Sequence, residues 1–182
     1  MARLQLTNAQ RAHPVPLARL RRVARCAAGR LGIRAAGEIA VTFIDSTRMR
    51  ALNKRFLRHD RTTDVLSFRY NGAPGRLPAR LSAAPTAQAG RAQAGPSGSS
   101  LAHGPVIGEL LIDPGMARRY AAAHDVPYPT ELARYVIHGL LHWLGHEDRT
   151  PLQQRKMRKL EDRLLARCDS RLRVLGSGLG DG

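Results

Sequence analysis

Residues 3 to 7 (RLQLT) alternate polar and apolar side chains with the period of a half-buried strand. Leu17, Leu20, Val23, Ala24, Ala27 and Leu31 then recur at helical spacing between Pro14 and Leu31, and Gly32 ends that helix. Glu38 to Ile44 (EIAVTFI) reads as a second strand, followed by a helix through Met49, Leu52, Asn53 and Phe56 that Asp45 or Ser46 can cap. Asp64 to Tyr70 (DVLSFRY) and Val106 to Asp113 (VIGELLID) read as the third and fourth strands. Between them, residues 71–105 are dominated by Gly, Ala, Pro, Ser and Gln, which predicts a flexible insertion.

The second half reads as helical. A short helix covers Met116 to Ala123, and a longer one starts near Thr130 as N-cap and runs to Gly145. Thr150, Pro151 and Gln153 form a capping box for a last helix with Met157, Leu160 and Leu164 on one face. The tail 170–182 is glycine-rich and is expected to be mobile. Four strands and five helices, with no internal repeat, predict an α+β fold organised as one domain over residues 1–182.

The run YVIHGLLHWL (Tyr135 to Leu144) changes this from a fold prediction into a chemical one. It is apolar on every side apart from two histidines and a glycine, the mark of a buried helix. His138 and His142 are four residues apart, so both imidazoles leave one face about a helical turn from each other and can reach one ion. Two buried imidazoles without partners would cost on the order of 1–3 kcal/mol each, and ligation of a divalent metal, zinc first, removes that cost. An H-x-x-x-H pair alone is a weak motif; the buried helix, the break at Gly145 and the acidic residues after it strengthen it.

An open site needs a third protein ligand from beyond the helix. Gly145 can reverse the chain and return His146, Glu147 or Asp148 toward the histidines. Asp148 is favoured over His146, because His146 still turns with the helix unless the glycine has already reversed the chain. The expected set is therefore His138, His142 and Asp148 around one Zn²⁺, with no organic cofactor. Gly139 stands where H-E-x-x-H proteases carry their water-activating glutamate, so peptide hydrolysis by that route is disfavoured.

Composition adds a partner class. Lys and Arg total 30 against 14 Asp and Glu, a formal charge of +16, which suits a polyanion such as nucleic acid. Base composition of a genome also enriches Arg and Ala, and with 4% aromatic residues no stacking platform is evident. No apolar run is long enough to span a bilayer and no secretory signal is visible, which predicts a soluble, cytoplasmic protein without a membrane role. Cys26 and Cys168, far apart in the chain and without metal-type spacing, are expected to be reduced thiols.

Three blocks together resemble the YbeY family of bacterial endoribonucleases: LNKRFLRHDRTTDVLSF (Leu52 to Phe68), IGELLI (Ile107 to Ile112) and HGLLHWLGHED (His138 to Asp148). The resemblance implies a small mixed sheet packed with helices and a zinc-dependent, single-strand-acting RNase. It also implies a role in ribosomal RNA maturation and ribosome quality control, with ribosomal RNA and the ribosomal subunit as partners. The chain departs from the common family pattern at Asp148, where a third histidine is usual, at Leu57, where an arginine is usual, and in the insertion 71–105. An aspartate ligand brings negative charge and makes the ion a weaker Lewis acid. Glu147, Glu109 and a metal-bound water all stay open as the proton acceptor, so no catalytic residue is assigned. Two other readings of the pattern are a non-catalytic ribosome assembly factor with a structural metal and a zinc hydrolase of a small molecule or peptide. Nothing in the sequence sets an oligomeric state.

Overall fold

A computed structural model describes residues 2–34, 36–70 and 105–169. The expected insertion 71–105, apart from its last residue, and the expected mobile tail lie outside the described residues. The elements run β1 (Arg3–Asn8), α1 (Leu17–Arg30), β2 (Glu38–Phe43), α2 (Ser46–Leu57), β3 (Val65–Arg69), β4 (Val106–Ile112), α3 (Pro114–Ala123), α4 (Tyr128–Trp143) and α5 (Pro151–Cys168).

The sheet is mixed, with strand order β1-β2-β4-β3. β1 and β4 flank β2 in parallel, and β3 closes one edge antiparallel to β4, with Val65 opposite Ile112. Alternation along the strands sorts two cores. Leu6, Ile39, Val41, Phe43, Leu110 and Ile112 pack with α1 and α4, while Leu66 and Leu111 pack with Ile44, Met49 and Leu52 on the α2 side. Each fully buried aliphatic side chain contributes roughly 1.5–3 kcal/mol of burial free energy, so the larger core on the α4 face is the main anchor of the site helix.

Local signals explain the helix ends. Asp45 rather than Ser46 caps α2, accepting from the Arg48 amide at 2.8 Å, and Ser46 instead donates to Asp113 at 2.6 Å. The capping box at Thr150 and Gln153 is present. Thr130, expected as the N-cap of the site helix, is not: α4 begins two residues earlier, after Pro127. Proline at both 127 and 129 pre-sets the backbone dihedral for the first turn, and the Thr130 hydroxyl is taken by Arg19 Nη2 at 3.0 Å.

The expectation of two reduced cysteines is also overturned. α1 and α5 lie side by side, which brings Cys26 and Cys168 to a Cα separation of 5.5 Å, and their sulfurs are bonded across 142 residues of sequence. Sequence distance had concealed the pairing.

Candidate metal centre

α4 carries the site because its apolar residues hold it against the sheet on most sides. Val136, Ile137, Leu140 and Leu141 are fully buried, whereas the His138 and His142 side chains are 13% and 28% exposed at a cleft. Gly139 permits this approach. A Cβ there would stand 3.1 Å from Val65 Cγ1 and 3.2 Å from Leu110 Cδ1, so even alanine would require these two side chains to shift by a few tenths of an ångström.

The helix ends in a Schellman motif: the Gly145 amide donates to the His142 carbonyl at 2.9 Å and the His146 amide to the Leu141 carbonyl at 3.0 Å. Gly145 adopts φ +95°, a conformation glycine takes without a Cβ penalty. The chain reverses there and returns Asp148 to the histidines. Its Oδ1 lies 3.7 Å from His142 Nε2 and its Oδ2 3.8 Å from His138 Nε2, while the two Nε2 atoms are 2.9 Å apart. His146, the alternative ligand, is outside this group and lines the neighbouring grooves.

The three donors fit a divalent ion. Tetrahedral coordination at 2.0–2.1 Å separates ligand atoms by about 3.3 Å, and the observed distances lie on either side of that value. Two imidazoles and one carboxylate are a borderline donor set of the kind zinc accepts. Without an ion, an N–N distance of 2.9 Å requires one imidazole to donate to the other. Burial disfavours a charge on His138, but the Glu161 hydrogen bond and the Asp64 and Asp148 carboxylates outweigh it and raise its pKa. Burial and the charge of His138 lower that of His142.

Two carboxylates at the site escaped the sequence reading. Glu161, buried on α5, accepts from His138 Nδ1 at 2.8 Å and so turns Nε2 toward the other two candidate donors. Arg134 secures it from behind, binding Glu161 at 3.3 Å and Asp162 at 2.6 Å through Nη1 and Glu131 at 3.3 Å through Nε. The available signal was a carboxylate set among Met157, Leu164 and Leu165, the buried residues of α5. Asp64 comes from the loop before β3. Its Oδ1 accepts from Thr63 and the Val65 amide, which leaves Oδ2 facing His138 Nε2 at 4.0 Å.

Of the two glutamates left open as proton acceptors, Glu147 lines the groove that reaches His142 and Asp148, together with Leu57, Arg149 and β3. Glu109 does not approach the site. It alternates with Leu110 and Gly108 on β4, so it faces the α2 side of the sheet, where it accepts from the Tyr70 hydroxyl at 3.3 Å.

A mixed sheet packed with helices, with two histidines on a buried helix and an aspartate returned to them just past its end, defines a candidate metal-binding fold, and comparison with known proteins gives it a family. The profile of the family described as endoribonuclease YbeY matches residues 5–169, and the chain belongs to that family. Endoribonuclease YbeY of Salinibacter ruber is 34% identical over 127 residues, covering 70% of this chain and 68% of that protein. The protein of the same name from an Anaeromyxobacter species is 31% identical over 172 residues, 93% of this chain and 73% of its own length. For the one from Myxococcus xanthus the figures are 30% over 128 residues, with the match spanning 35% of that protein. A solution structure of a Thermotoga maritima protein shares the fold at a TM-score of 0.53 and 17% identity, over 98% of this chain and 97% of that one. Among the described residues no helix is long and apolar enough to cross a membrane.

Proposed function

We propose that this protein is a zinc-dependent endoribonuclease that cuts single-stranded RNA in the cytoplasm. Its substrate in this reading is ribosomal RNA, at the 3′ end of the 16S molecule, and its setting is the ribosomal subunit during maturation and quality control. The observation that carries the reading is the convergence of His138, His142 and Asp148 within 4.8 Å of one another at the mouth of a cleft, in a chain whose named relatives are endoribonucleases.

The chemistry a zinc ion supplies at such a site is Lewis acidity toward a phosphoryl oxygen and activation of water. The residues of the chain do the rest. Glu161 holds the His138 tautomer, and Arg134 holds Glu161. Asp64, whose Oδ2 faces the cluster but stands outside the three-donor group, is placed to accept a proton from an attacking water. A site with three protein donors keeps a position for substrate, which favours a catalytic ion over a structural one. The charge of +16 supplies attraction for a polyphosphate backbone.

The test is incubation of the purified chain with single-stranded and duplex ribosomal RNA, with and without chelator, beside His142→Ala. Cleavage confined to the single strand and abolished by either treatment is expected. Equal cleavage in all the reactions would sink the reading.

A further inference from the structure

The cleft beside His138 opens between α3, α4 and α5 and encloses about 500 Å³, within the range of small-molecule sites. Met116, Tyr120 and Met157 give it apolar walls, and Glu131, Tyr135 and Arg158 give it polar ones. Glu131 is 3% exposed and Tyr135 7%, so both polar groups are buried by the protein yet line the cleft. Among the described residues the Tyr135 hydroxyl has no protein hydrogen-bond partner, and its oxygen is open to the cleft, where a ligand can reach it. Glu131 accepts one long bond from Arg134, at 3.3 Å, and keeps most of its acceptor capacity. Both groups lack what a ligand with N–H and O–H donors would provide.

The order of residues along α4 suggests which ligand. Glu131, Tyr135 and His138 follow one another down the face that meets the cleft, with Glu131 about 10 Å along the helix axis from the metal-ligating His138. That spacing suits one nucleotide, with its phosphate at the metal centre, its sugar near the phenol and its base edge at the carboxylate.

We propose that this cleft is a nucleobase pocket for the residue flanking the cleaved phosphate, and that it selects guanine. The inference rests on the RNA-cleaving reading above for the phosphate, and on the pocket itself for the base. A carboxylate accepts two hydrogen bonds from adjacent donors, and guanine alone among the four bases sets N1–H and N2–H₂ side by side. Adenine, cytosine and uracil place an acceptor next to each donor, which would face the Glu131 charge. Arg158, over the Tyr120 ring at 5.9 Å, supplies a cation for the guanine acceptor edge. The thioether and aromatic walls match the flat faces of a base read out of a single strand.

Calorimetric titration of the full chain with GMP, AMP, CMP and UMP in the presence of chelator reads the pocket without any cleavage. GMP is expected to bind at least tenfold more tightly than the other three, and Glu131→Gln to remove that preference. Tyr135→Phe deletes one oxygen without touching the Arg134 ion pairs and should lower GMP affinity several-fold. Equal binding of the four nucleotides, a guanine preference that survives Glu131→Gln, or unchanged GMP affinity in Tyr135→Phe overturns the proposal. A chain that prefers GMP but cuts no RNA would defeat the nuclease reading and keep the pocket. One that cuts RNA but binds all four nucleotides alike would do the reverse.

Discussion

His138 Nδ1 donates to Glu161 Oε1 at 2.8 Å, and that one bond decides which imidazole nitrogen meets Asp148 and His142. A carboxylate accepts only, so the Nδ1 proton is fixed and Nε2 keeps its lone pair for the ligand cluster. Removing the carboxylate frees the ring and lowers its basicity. Glu161→Ala should therefore weaken zinc binding about 10–100-fold, measured by competition with a chromophoric chelator. The fold should persist, because Arg134 retains Glu131 and Asp162 as partners. Unchanged zinc affinity would show that the bond has no part in the site.

Asp64 separates binding from chemistry. Its Oδ2 is 4.0 Å from His138 Nε2, near enough to share a water with the centre and outside the three-donor group. Asp64→Asn keeps the acceptor for Thr63 and Val65 while removing the base. RNA cleavage should fall by about 10²–10⁴ with zinc affinity changed less than threefold or so. A parallel loss of metal would make Asp64 a ligand instead.

What could be read from the chain beforehand follows the range of the interactions. His138, His142, Gly145 and Asp148 are legible because a helix period, a glycine break and a short return are all local, and the capping box at Thr150 is local too. Glu161 and Asp64 were missed because each reaches the site through packing: one across the α4–α5 interface, the other from the loop before the edge strand. The Cys26–Cys168 bond is the extreme case, since only the lateral packing of α1 on α5 joins residues 142 apart. Thr130 failed for a different reason. Its sequence context suits a cap, but the prolines before it, at 127 and 129, start the helix earlier and Arg19 claims its hydroxyl.

Glu109 gives a pH signature remote from the metal. Burial raises its pKa, against the lowering effects of the Tyr70 hydrogen bond and the charge of Arg48. The folded chain then holds this proton to higher pH than the unfolded chain, so this group's contribution falls as pH rises from the ordinary glutamate range through the raised folded value. Glu109→Gln removes the penalty. Its Tm should exceed that of the parent at neutral pH and meet it below about pH 4, where the parent is protonated in both states. Because Glu109 faces the α2 side of the sheet, RNA cleavage should be unaffected, and a lost activity would reinstate it as a candidate base.

The bonded cysteines make stability depend on redox conditions. Closing a loop of 142 residues restricts the unfolded chain, and disulfides of this kind contribute about 2–4 kcal/mol. For a chain of this size that is a Tm shift of roughly 5–15 °C. Melting with and without a phosphine reductant should show a fall of that order, absent from Cys168→Ser. Identical melts would mean that the thiols are already reduced in the purified protein.

Gly145 ties backbone conformation to the metal centre. A Cβ added there meets no atom within 4 Å, so the cost of Gly145→Ala comes from φ +95° and not from crowding. Holding a non-glycine residue in that region costs about 1–2 kcal/mol, and the chain can relieve it only by opening the turn that delivers Asp148. Two measurements separate the consequences. Thermal melting should report a loss of about that size, and zinc titration should report a larger proportional loss of affinity, since the ligand is displaced as well as the turn strained. Full zinc affinity with lowered stability would mean that Asp148 reaches the histidines whether or not the glycine turn is intact, and the role of Gly145 would then be confined to ending α4.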